Sequence, residues 1–133
     1  MQNKFELYEN ELDEIIKILP QNGVVILKGD LASGKTTLAR HIIKQRLGFS
    51  EVTSPTFSFM QDYGQIYHYD LYMCGLSGIL QNGLFENLLQ DGLHLVEWGD
   101  EDLKTMLKKY EISVCEVNIV PKNDKRIYEV KFA

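Results

Sequence analysis

The chain has 133 residues, 44% hydrophobic and 25% charged, an ordinary globular composition that fills one core and leaves too little chain for a second, so a single domain over residues 1–133 is expected. Lys and Arg number 14 against 19 Asp and Glu, a net charge of −5, which repels a polyanion over most of the surface and opposes autonomous binding of RNA or DNA. No apolar run of the roughly 18 residues needed to span a bilayer occurs, the opening MQNKFELYENELDE is too acidic for a secretory leader, and Cys74 and Cys115 stand apart without metal or disulfide spacing; a cytoplasmic protein that does not touch membranes, with both cysteines buried as small hydrophobes, is expected.

In chain order, the first expected element is a helix within FELYENELDEIIKIL, starting near Asn10, because Leu7, Leu12, Ile15, Ile16 and Leu19 recur at three- and four-residue steps. Pro20 and the QNG turn stop it. GVVILKG, residues 23–29, is a β-branched run of strand length, the pattern of a fully buried strand in a parallel sheet. A glycine loop follows. TTLARHIIKQRLG then sets Leu38, Ile42, Ile43 and Leu47 on one face and closes with Gly48, which predicts a helix with a glycine terminator. In VTSPTFSFMQDYGQIYHYD, alternation around Phe57, Phe59 and Tyr63, a DYGQ turn, and Ile66 and Tyr67 predict a β-hairpin. GLSGILQNGLFENLLQDG is short, glycine-punctuated and mostly helical, and GLHLVEWGD holds a buried strand. DEDLKTMLKKY predicts a helix whose leading acids and trailing lysines suit its dipole, and EISVCEVNIV and RIYEVKFA, joined by PKNDK, an antiparallel strand pair.

The chemistry lies first in GDLASGKTT, where Gly29, Gly34, Lys35 and Thr36 fit the phosphate-loop spacing G-x-x-x-x-G-K-S/T. A helix N-terminus presents unpaired N–H groups and the positive end of the dipole, and glycines let phosphates approach without a Cβ in the way. Lys35 is expected to reach the β- and γ-phosphates and the Thr36 hydroxyl to ligate Mg²⁺, with Gly29, Asp30, Leu31, Ala32, Ser33, Gly34 and Thr37 completing the loop that holds ATP. The strand, loop and helix order is the context this motif requires. The expected fold class is therefore α/β: a three-layer sandwich like that of P-loop NTPases, with a central mixed sheet, helices on both faces and an antiparallel C-terminal strand pair.

Hydrolysis also needs a carboxylate on the metal and a group that positions water. Two apolar strands end in acids, QIYHYDLY at Asp70 and GLHLVEWGD at Glu97, where strands emerge near a phosphate site. Both are candidates for metal binding and catalysis, the division of labour between them being open; the bland identity of either is a solvated strand-end acid. Thr56, in the hydroxyl-rich turn TSPT, can contact a γ-phosphate or merely start a strand. His68 sits in an alternating strand without a Cys or Ser partner, and His41 and His94 are expected to be structural or solvent-facing. No basic residue interleaves the aromatics of YGQIYHYDLY, so this stretch suits a core or a partner-facing hairpin better than base stacking.

Taken in order, GDLASGKTT, SPTF, HYDLY and VEW resemble the TsaE (YjeE) family of small bacterial P-loop ATPases required for N6-threonylcarbamoyladenosine modification of tRNA. The resemblance implies ATP and Mg²⁺ as cofactors, slow ATP hydrolysis by the chain alone, and work with the TsaB and TsaD proteins, which carry out the transfer and hold the tRNA. It also implies roles: Lys35 as the loop lysine, Thr36 as metal-ligating hydroxyl, Thr56 as a switch-like threonine, Asp70 as the acid of the H-x-D-L-Y-R motif, and Glu97 with Trp98 as the E-W pair. Departures are Ala32 for a common Gly, Met73 for Arg and Gly99 for a frequent Pro; Arg40 is the candidate replacement for the missing cation. Two other readings are a P-loop kinase of a small metabolite, which lacks a lid with arginines here, and a nucleotide-gated binding module with negligible turnover.

Overall fold

The computed structural model describes residues 2–30, 33–48, 60–72, 75–81 and 83–132. Along the chain run β1 (Gln2–Leu7), a 3-10 turn (Glu9–Glu11), α1 (Asp13–Ile16), β2 (Gly23–Lys28), α2 (Lys35–Leu47), β3 (Met60–Asp62), β4 (Ile66–Asp70), α3 (Gly75–Gln81), α4 (Leu84–Leu88), β5 (Leu93–Glu97), α5 (Glu101–Lys109), β6 (Val114–Lys122) and β7 (Lys125–Phe132). The strands form one sheet in the order β1-β7-β6-β2-β5-β4-β3. β2 runs parallel to both β5 and β6, and β5 parallel to β4, while both edges of the sheet close in antiparallel pairs.

Each face of the sheet buries a separate core. On one, Val25, Leu27, Leu95, Val117 and Tyr128 pack under α1 and α2, which contribute Ile15, Ile16, Leu38, Ile42 and Ile43, with Leu12 just ahead of α1. On the other, Val24, Ile26, Tyr69 and Val96 pack under α3, α4 and α5 through Ile79, Phe85, Leu88, Leu103 and Leu107. Successive residues of β2 therefore alternate between two apolar layers, which is why Val24, Val25, Ile26 and Leu27 are apolar at every position rather than every second one. This is the expected α/β three-layer sandwich with a mixed sheet. The C-terminal pair is part of it: β6 joins β2 in parallel and carries β7 as its antiparallel neighbour.

The expected first helix is corrected at its N-terminal half. Residues 2–7 form β1, paired antiparallel with β7 from Gln2↔Lys131 to Leu7↔Arg126, and the helix shrinks to Asp13–Ile16. Lys4-Phe5-Glu6-Leu7 alternates polar and apolar, so Phe5 and Leu7 reach the same core as the helix residues while the backbone pairs the otherwise free edge of β7. Arg46 then pins the short helix to α2, its guanidinium donating to the carbonyls of Ile16, Leu19 and Pro20 at 3.0, 2.9 and 2.6 Å. The expected β3–β4 hairpin and the helix over 101–109 are present, the latter capped by Asp100 Oδ1 accepting from the Leu103 N–H at 2.8 Å. Phe57, Phe59 and Cys74 lie outside the described residues; Cys115 is buried, and burial pushes its thiol up to about 11.

Candidate functional site

The site sits at the carboxyl ends of β2, β4 and β5, three adjacent or near-adjacent parallel strands, where an open α/β sheet leaves a crevice. β2 delivers Gly29 and Asp30 directly into the loop, and the loop ends at Gly34, whose φ of 110° lies in the left-handed region and starts α2 at Lys35. Gly29, at φ 152°, has no room for a side chain: a Cβ would stand 2.5 Å from Ser33 Oγ and 2.7 Å from the Ile119 carbonyl of β6. The loop is thus pressed against the sheet, and the N–H groups at the start of α2 face the crevice with the positive end of a 13-residue helix behind them.

Lys35 is buried. Its ammonium donates to the carbonyls of Gly29 at 2.6 Å and Asp30 at 2.9 Å and lies 3.9 Å over the centre of the Trp98 ring. Burial lowers its pKa, while the carboxylates of Glu97, Asp30 and Asp70 act the other way. Trp98 adopts φ 64°, a left-handed conformation that is strained for a side-chain-bearing residue; its ring is held between Lys35 and Tyr72, whose ring centre is 4.8 Å away.

Asp70 and Glu97 are register partners on β4 and β5, so the two acids stand side by side at the strand ends. Glu97 is buried and fully engaged. The Thr36 hydroxyl donates to its two carboxylate oxygens at 2.9 Å each, and His68 Nε2 lies 2.6 Å from Oε2. A carboxylate only accepts, so His68 carries its proton on Nε2. Its Nδ1 is buried with no hydrogen-bond partner among the described residues. Asp70 is half-buried and accepts from the Tyr72 N–H at 3.1 Å. Together Ser33, Gly34, Lys35, Thr36, Thr37, Asp70, Tyr72, Glu97, Trp98 and Arg126 line a cavity of about 280 Å³.

Of the residues singled out from sequence, Gly29, Asp30, Ser33, Gly34, Lys35, Thr36, Thr37, Asp70, Glu97 and Trp98 come together here. Leu31, Ala32, Thr56 and Met73 lie outside the described residues. Arg40 is exposed on α2 and does not line the cavity; the arginine that does is Arg126 of β7. From sequence alone His68 is set aside for want of a Cys or Ser partner, and Arg126 is not assigned to the site. His68 had a local signal, since positions 68 and 70 of one strand share a face, whereas Arg126 had none: only the sheet order carries β7 to the loop. His94 is structural, bonded to the Tyr69 hydroxyl at 2.7 Å and to the Gln90 carbonyl at 2.9 Å.

A strand leading through a glycine loop into a helix, with a buried loop lysine and a helix-end hydroxyl bonded to a strand-end carboxylate, defines the phosphate-binding P-loop class. The family model for TsaE, threonylcarbamoyl adenosine biosynthesis protein, matches residues 4–127. The chain belongs to that family. Proteins named tRNA threonylcarbamoyladenosine biosynthesis protein TsaE are similar to it in Rickettsia conorii, 36% identical over 92% of this chain and 73% of that protein, and in Rickettsia typhi, 35% identical over 92% and 90%. One from Aquifex aeolicus is 28% identical over 86% and 82%. The crystal structure of YdiB from Bacillus subtilis superposes with a TM-score of 0.68 at 24% identity over 98% of this chain and 84% of that one, which shows the same fold.

Proposed function

We propose that this chain binds ATP with Mg²⁺ through the GDLASGKTT loop, hydrolyses it, and by that cycle serves tRNA threonylcarbamoyladenosine formation in complex with the TsaB and TsaD proteins, which hold the tRNA. The observation that carries the ATP reading is the pairing of Thr36 with Glu97 at 2.9 Å beside the buried Lys35 ammonium. A hydroxyl from the loop helix and a carboxylate from a neighbouring strand are the two protein groups that P-loop enzymes bring to a magnesium ion.

The donor set fits Mg²⁺. The Thr36 hydroxyl and the Glu97 and Asp70 carboxylates are hard oxygens, and Mg²⁺ takes only one or two carboxylates, completing its shell with water and substrate phosphate. Bound there, the ion would neutralise phosphate charge as it develops. The chain's own groups do the rest. Lys35 would leave the Gly29 and Asp30 carbonyls for phosphate oxygens, and the N–H groups at the start of α2 would donate to the phosphate chain. His68 holds Glu97 in one orientation, and Asp70, with one oxygen engaged by the Tyr72 N–H, is the candidate to orient the attacking water. Ser33, Gly34, Thr37 and Trp98 line the same cavity and complete the proposed ATP contacts, with Thr56 the proposed sensor of the γ-phosphate. The metabolite-kinase reading is not favoured: of the three arginines in the chain, Arg46 is committed to the carbonyls of Ile16, Leu19 and Pro20, and Arg40 does not line the cavity.

Calorimetric titration with ATP and Mg²⁺ tests the site. Lys35→Ala is expected to weaken ATP binding by at least about tenfold, the worth of a charge-assisted contact, while leaving the fold intact by circular dichroism. Unchanged affinity together with unchanged turnover would sink the phosphate-loop reading.

A further inference from the structure

Among the described residues, four charged side chains line the cavity: the carboxylates of Asp70 and Glu97 and the cations of Lys35 and Arg126. Lys35 alone faces three carboxylates, Glu97, Asp30 and Asp70. Without Arg126, a phosphate chain entering the cavity would meet two carboxylates and one cation on its wall; the number of cations is brought level with the carboxylates there by Arg126. It comes from the far side of the sheet order, on β7, opposite Leu7 of β1. Its guanidinium lies flush against the loop, so close that a Cβ on Gly34 would stand 2.9 Å from Cζ, Nε and Nη1. Gly34 is the residue from which α2 starts, so the guanidinium and the first amides of that helix open on the same space. Its one ion-pair partner among the described residues, Glu9, is 3.8 Å away and 63% exposed, too weak to hold it there.

We infer that Arg126 is a second phosphate-binding cation of the nucleotide site, supplied in cis by the C-terminal hairpin and gripping the phosphate chain rather than the base. This rests on the ATP reading above. Its guanidinium is planar and permanently charged, suited to bidentate contact with phosphate oxygens, and its position needs no residue outside this chain. It also gives the β6–β7 hairpin a role in the site, because the sheet order alone brings Arg126 to the loop.

The test is binding by the full chain, with ATP and, separately, inorganic tripolyphosphate as probes, each read by displacement of a fluorescent ATP analogue. Arg126→Ala is expected to weaken both probes by about ten- to a hundredfold, as for a lost charged hydrogen bond, with Arg126→Lys recovering only part of that loss, because the charge remains but the bidentate fork does not. Melting curves of both variants establish that they fold. Loss of ATP affinity with tripolyphosphate unaffected would overturn the inference in favour of a base contact, and unchanged affinity for both probes would overturn it outright while leaving the ATP site standing. If the wild-type chain bound neither probe, the ATP reading itself would fall, and this inference with it.

Discussion

Removing the His68 imidazole leaves the buried Glu97 carboxylate with the Thr36 hydroxyl as its only hydrogen-bond donor among the described residues, free to turn. Partners of this kind orient a metal-binding carboxylate, and their loss costs about 10- to 100-fold in metal affinity or activity. His68→Ala is therefore expected to raise the Mg²⁺ concentration needed for half-maximal turnover by that factor, with ATP affinity measured without Mg²⁺ unchanged; a Mg²⁺ titration of ATPase rate reads it. Glu97→Ala is expected to lose Mg²⁺-dependent turnover, and Asp70→Asn to impair hydrolysis more than nucleotide binding. Full activity in both across a Mg²⁺ series would make these acids ordinary strand-end residues. Gly29→Ala acts on the loop instead. Backbone at φ 152° and a Cβ within 2.7 Å of a carbonyl oxygen force the loop off the sheet, at about 1–3 kcal/mol for the backbone strain alone, so nucleotide binding should fall together with the melting temperature.

At the scale of elements, two polar fastenings carry separable predictions. Arg46 closes the end of α1 onto α2 through three carbonyls, and Arg46→Met, which keeps the aliphatic stem, should destabilise by about 2 kcal/mol in denaturant unfolding, as expected for charged hydrogen bonds. Glu116 of β6 pairs with Lys28 of β2 at 2.9 Å and Lys104 of α5 at 3.0 Å. Burial pushes its pKa up, but the hydrogen bonds from Lys28 and Lys104 outweigh it, and the net shift is downward from 4.5. A lowered carboxylate pKa stabilises the fold above 4.5 and loses that contribution as the pH falls through the native value. Unfolding free energies of wild type and Glu116→Gln should therefore converge in acid and part at neutrality. The elements themselves were legible where their signals were local: β2, the loop and α2 follow from a buried run, spaced glycines and one apolar face. β1 was not, because Leu7 fits both a helical step toward Leu12 and the two-residue step from Phe5, and what decides between them is the free edge of β7, more than 100 positions away in the chain.

For the whole molecule, the same divide separates what sequence could and could not say about the site. Lys35, Thr36, Asp70 and Glu97 announced themselves by motif or by ending a strand; Arg126 is brought to them only by the order β1-β7-β6-β2, which no local pattern encodes. A net charge of −5 leaves no broad basic face, so the isolated chain should bind tRNA weakly or not at all in a filter or anisotropy assay at physiological salt. On the proposed function, the nucleotide acts through protein partners, and it can do so only if the partner-bound and free forms hold ATP with different strength. The measurement that meets this claim most directly is ATP hydrolysis by the purified chain, alone and with the TsaB and TsaD proteins, in single and multiple turnover. The account predicts slow Mg²⁺-dependent hydrolysis alone, abolished by Lys35→Ala, and a rate changed by the partners. No hydrolysis under either condition, or a rate indifferent to the partners, would contradict it.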